Sequence, residues 1–232
     1  MANIWRAESE AEMPELIRAV NVDVPFRSEG RTNNHTERFC MARLLATLPS
    51  DRLQFPLQLQ HHDRPDFILA MAATKTGIEH TEAIPENVAH AAFLREKGHG
   101  PEMYFTPHAA LGEPKKTGAE LIAEIEADEM GGGWYGDQFE RDWAAAMLHF
   151  VQAKALKAQA EGFVRYDRNW LLLYDSWPGP NLNFRKATAF LEQLLATDDS
   201  HSIFDSIFII HHQEICELNG ASAFYSVPRV GS

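Results

Sequence analysis

Apolar and polar positions along the chain follow two periods. Over residues 34–48 the apolar ones recur at helical spacing, with Asn34 or Thr36 available as an N-cap and Pro49 as a stop, which predicts a first core helix. Residues 55–60 alternate weakly and residues 66–71 are a short apolar run, both read as strands, and a third strand is expected over 78–84. Thr74-Lys75-Thr76-Gly77 carries turn chemistry and predicts a hairpin between the second and third of them. Residues 143–160 are Ala-rich and apolar at helical spacing, a long helix. Residues 170–174 form a wholly apolar strand, broken by Trp177-Pro178-Gly179-Pro180. A helix over 184–195, a buried strand over 203–210 and a short strand over 215–218 complete the pattern. This order predicts the α/β class, with a central mixed sheet flanked by helices.

Residues 1–32 read as a lead-in arm with a short helical pattern near Met13 and Ile17. Pro85 ends the third predicted strand, and residues 85–142 read as a helical insertion. Within it Leu121, Ile122, Ile125 and Met130 mark an acidic amphipathic helix, and Gly131-Gly132-Gly133 a flexible joint. A lid, a partner surface or a homo-oligomer contact all fit such an insertion. Residues 1–232 are expected to form a single domain, its core drawn from about 34–84 and 143–218.

Composition narrows this picture only slightly. An apolar content of 45% with 23% charged residues is an ordinary globular balance, and no run approaches the length of a membrane span. Two cysteines, Cys40 and Cys216, are too few for a disulfide framework and suit a reducing compartment. With no basic patch and apolar run at the start, a cytoplasmic location without a membrane partner is expected. The net charge of −12 argues against a broad grip on phosphates. Much of that excess is local, however, with Glu120, Glu124, Glu126, Asp128, Glu129, Asp137, Glu140 and Asp142 in one middle segment.

Candidate chemistry sits on the predicted hairpin. Asp66 opens one strand and Glu79 lies on the next, so the two carboxylates can converge on a hard cation such as Mg²⁺ or Mn²⁺. The alternative has Asp66 capping a turn after Pro65 and Glu79 on a solvated face. Glu37 falls in line with Met41, Leu44 and Leu48 on the stripe expected to face the sheet; it either favours the helix dipole or adds a third acid to the site. Lys154 lies within about 20° of Trp143 and Met147 and about 40° of Phe150 on its helix, where it either snorkels to solvent or points at the sheet. Lys157 lies toward the edge of that stripe.

Glu37 in a leading helix, Arg64-Pro65-Asp66, Glu79-His80-Thr81, and a Lys-bearing helix before an apolar strand together resemble the PD-(D/E)XK, restriction-endonuclease-like nuclease superfamily. The resemblance implies a Mg²⁺- or Mn²⁺-dependent phosphodiesterase acting on nucleic acid, usually DNA, with Asp66 and Glu79 as metal ligands and Glu37 assisting. Thr81 stands where that family carries its lysine, so Lys154 would supply the lysine function from the following helix, with Lys157 in reserve. A catalytically inactive binding or regulatory protein of the same fold is the alternative.

The remaining signals are weaker. His61-His62 and His211-His212 invite a zinc reading, but adjacent strand residues face opposite ways. Asp175, after an apolar strand, is either a further cleft acid or a turn residue before Ser176.

Overall fold

The computed structural model describes residues 3–104, 109–129 and 132–228. Eight strands form one sheet in chain order: β1 (Ile4–Ala7), β2 (Leu57–His61), β3 (Phe67–Met71), β4 (Thr74–Ala83), β5 (Arg168–Asp175), β6 (Ser206–His211), β7 (Glu214–Leu218) and β8 (Ser222–Ser226). Neighbours are antiparallel except at the centre, where β5 runs parallel to both β4 and β6. Parallel neighbours cannot be joined by a tight turn and need a crossover. Here α3 (Glu86–Glu96), α4 (Gly118–Ala127) and α5 (Gln138–Ala158) lie between β4 and β5, and α6 (Phe184–Leu195) between β5 and β6. Two further helices, α1 (Met13–Val20) and α2 (Asn33–Thr47), precede β2.

The strand period of two sorts side chains between two cores. Trp170 and Leu172 of β5 share one with Leu16, Met41 and Leu44 of α1 and α2; Leu171 and Leu173 share the other with Met147 and Val151 of α5 and Leu191 of α6. A strand buried on both faces reads as a continuous apolar run, which is why β5 stands out in the sequence. The α/β class with a mixed, helix-flanked sheet is therefore correct. Between α3 and α4, Leu94, Leu121 and Ile125 form a separate small core.

Several boundaries differ from the sequence expectation. The α2 N-cap is Thr32, whose side chain and backbone engage His35 in a capping box, while Thr36 turns its hydroxyl back to the Asn33 carbonyl. Residues 74–77 belong to β4, not to a turn; the hairpin turns at Ala72, with φ of 38°. Gly77 serves packing instead, since a Cβ there would lie 2.7 Å from the Tyr166 ring. The long helix starts at Gln138, and Ile203 and Phe204, although buried, precede β6. The lead-in arm contributes the edge strand β1. Met130 and Gly131, expected at the end of the acidic helix and in the joint after it, lie outside the described residues. Among the described residues no helix is long and apolar enough to cross a membrane.

Candidate functional site

The β3–β4 register pairs Phe67 with Ile78, so one step further Asp66 comes across from Glu79. Ile78 enters the core shared with α2; its neighbour Glu79 therefore projects to the opposite face, under α5. Trp143, Met147 and Val151 anchor α5 there by a buried apolar stripe, and Lys154 continues it. The Lys154 ammonium lies 2.7 Å from Glu79 Oε2 and 3.5 Å from Asp66 Oδ2. Asp66 Oδ2 also accepts the His80 backbone N–H at 2.6 Å. All three side chains are mostly buried yet keep an opening to solvent, with exposures of 17% for Asp66, 15% for Lys154 and 11% for Glu79.

One ammonium shared by two carboxylates leaves a net negative charge in a site with little water. Burial pushes the Asp66 carboxyl up to about 6, a rise that Lys154 opposes, Glu79 adds to, the His80 N–H opposes and the more distant Glu37 adds to. For Lys154, burial works against the ammonium, but Asp66 and Glu79 outweigh it and hold the pKa above its ordinary value. Glu79 takes the shorter bond to the lysine. Asp66, left with the longer one, is the acid poised to hold or release a proton near neutrality.

Glu37 is buried as its position on the α2 stripe suggests, but its partner is His61, with Nε2 2.7 Å from Glu37 Oε2. His61 in turn stacks on Phe67, the residue after Asp66, at 4.7 Å between ring centres. The structure thus brings together three of the four expected residues and sets Glu37 beside them, on the α2 face, through a histidine that sequence reasoning passed over. The alternation Leu57, Leu59, His61 was the available signal, since it aims His61 at the same face as the core leucines. His80 was passed over as well. Its ring is buried, Nε2 has no hydrogen-bond partner among the described residues, and burial, with Lys154 and Arg31 adding to it, lowers its pKa to about 3, so the ring is neutral. Lys157 is exposed and plays no part in this group. Cys40 and Cys216 are buried free thiols.

The donor set suits a hard cation in chemistry, because two carboxylates from adjacent strands already share one positive charge between them. Among the described residues, however, no group of three or more His, Cys, Asp or Glu side chains is arranged to hold a metal ion. An apolar cavity of about 230 Å³ lies elsewhere, between α3 and α4 beside Val88, Ala91, Leu121 and Ile125. No family model matches the chain, and no curated protein or solved structure matches it either.

Proposed function

We propose that the protein is a nuclease-like phosphodiesterase of the PD-(D/E)XK type that hydrolyses nucleic acid, DNA foremost, with the help of Mg²⁺ or Mn²⁺. The observation that carries this reading is the convergence of Asp66, Glu79 and Lys154 on one point, with the lysine nitrogen 2.7 and 3.5 Å from the two acids. The surrounding element order gives it further support: α2, the antiparallel run β2–β3–β4, then α5 and the parallel strand β5.

In this reading Asp66 and Glu79 hold the cation, which when bound supplies Lewis acidity toward a phosphoryl oxygen. Lys154 moves with its long side chain from the carboxylates toward the substrate and offsets the negative charge that develops on the phosphate. This lysine substitutes from α5 for the one absent at Thr81, which strand alternation puts on the same face as Glu79. The Glu37–His61 pair fixes the neighbouring end of β2. The assay is cleavage of labelled single- and double-stranded DNA and of RNA with Mg²⁺ or Mn²⁺. Cleavage in the wild type, lost in Glu79→Ala and in Lys154→Met, is expected; absence of cleavage on every substrate contradicts the reading.

Two observations favour a second reading, a binding or regulatory protein of the same fold without catalysis. Lys154 neutralises much of the acidic pair, and the chain's net charge of −12 disfavours a general hold on phosphates. A folded wild-type chain that cleaves no nucleic acid and gains no thermal stability from Mg²⁺ or Mn²⁺, with Asp66→Asn behaving alike, would select it.

A further inference from the structure

Asp175 and His211 end two parallel strands, β5 and β6, and face the same side of the sheet as α5. Asp175 is four residues along β5 from Leu171, the partner of Glu79, a separation of about 13 Å at strand rise, so this pair is distinct from the carboxylates above. The Asp175 side chain is only 3% exposed. Its Oδ2 accepts Trp143 Nε1–H at 2.8 Å and meets His211 Nδ1 at 2.7 Å, and its Oδ1 accepts the Trp177 N–H at 3.0 Å. A carboxylate with both oxygens accepting assigns the shared proton to His211 Nδ1. The imidazole is thereby fixed with Nε2 as its free nitrogen, and Phe184 stacked on the ring at 4.7 Å holds the orientation.

His211 is 17% exposed and lines a cleft of about 430 Å³ together with Phe184, Arg185, His212, Gln213 and Glu214. His212 has a φ of 48°, in the left-handed region that histidine enters more readily than most side chains, and its ring lies 4.3 Å from that of His211. The turn thus gathers two imidazoles on one cleft, although adjacent strand residues would diverge. Glu214, the one carboxylate among the described residues that line the cleft, is taken up by Arg185 at 2.9 Å. What remains is a set of nitrogen donors around a histidine oriented by a buried acid. The two imidazoles and Glu214 are not arranged as a metal site among the described residues.

We propose that this cleft is a second ligand site, taking a phosphate or phosphate monoester through His211 Nε2, with Asp175 as the positioning residue. A phosphate suits either state of the ring: its oxygens accept from Nε2–H, and its hydroxyl donates to the Nε2 lone pair. The proposal does not depend on nuclease activity.

The test uses the full chain labelled with ¹⁵N at histidine, titrated with inorganic phosphate and with glycerol phosphate while the imidazole resonances are followed. The expected result is a saturable shift of the His211 nitrogens and an affinity at least about tenfold weaker in His211→Gln and in Asp175→Asn. His149→Ala, an exposed histidine on α5, should leave the titration unchanged. Tighter binding of glycerol phosphate identifies an organic monoester as the ligand class, and equal or tighter binding of inorganic phosphate identifies free phosphate. Should the variants fold poorly, the wild-type His211 resonances decide alone. His211 nitrogens that do not move with either ligand, or binding undiminished in a folded His211→Gln, overturn the proposal.

Discussion

Replacing Asp66 by Asn should make the protein more stable at neutral and alkaline pH, although it removes a residue placed at the centre of the site. The wild-type site holds two carboxylates and one ammonium under α5, and Asp66 carries the less favourable position, 3.5 Å from Lys154. Its carboxyl is raised from 3.8 to about 6, so between those values the folded chain binds more protons than the unfolded one, and stability falls as pH rises through that window. The gap of about two units corresponds to roughly 3 kcal/mol at most, and the 17% exposure of the side chain trims it to about 1–3 kcal/mol. Asn keeps an oxygen for the His80 N–H and leaves the Lys154–Glu79 pair intact as a neutral unit. Urea unfolding of wild type and Asp66→Asn at about pH 4, 6 and 8 measures this, with the difference expected to grow in favour of the variant across the series. A variant less stable than wild type at the highest pH, or a pH slope unchanged by the substitution, would refute the reasoning.

Three further outcomes follow from the same physical picture. Lys154→Met leaves two buried carboxylates without a cation and should cost about 3–5 kcal/mol at neutral pH, less in acid, as read from the same urea curves. Glu217, on β7 with its side chain 1% exposed, accepts from Arg52 at 2.9 Å, Ser206 at 2.8 Å and Tyr225 at 3.0 Å. Burial opposes its ionisation, but these donors hold the carboxyl below its ordinary 4.5, so its contribution is full above that value and lost as pH falls through the lower, folded one. Glu217→Gln should therefore lose about 1–3 kcal/mol at neutral pH and flatten the acid limb of the stability profile. Gly77→Ala forces a methyl to within 2.7 Å of Tyr166 and 3.1 Å of the Pro65 ring, and should lower stability by about 1–3 kcal/mol in thermal unfolding, with partial recovery when Tyr166 is also changed to Ala.

The parts of the fold legible in the sequence were those whose burial leaves a period. Strand β5 is apolar on both faces and α5 carries Trp143, Met147 and Val151 on one stripe; Lys154 was legible as a charge on that stripe, and Asp66 and Glu79 as acids that a hairpin sets on neighbouring strands. Edge strands leave no such trace: β1 and β8 are short and mostly exposed or half-buried, since each pairs on one side only. The turn at Ala72 was illegible because a residue without turn chemistry adopts φ of 38° there, while Gly77, which resembles a turn signal, makes room for Tyr166. The histidine partners were missed for a related reason. His61 and His211 were weighed as adjacent pairs, His61-His62 and His211-His212, whereas their partners, Glu37 and Asp175, are distant in sequence.

The proposed function requires Asp66 and Glu79 to bind one divalent cation together. Titration of the full chain with Mn²⁺, followed by electron paramagnetic resonance, tests it without reference to any substrate. One saturable site in the wild type, lost in both Glu79→Gln and Asp66→Asn, is the predicted result. Binding that survives both substitutions, or no saturable binding in a folded wild-type chain, would contradict the account.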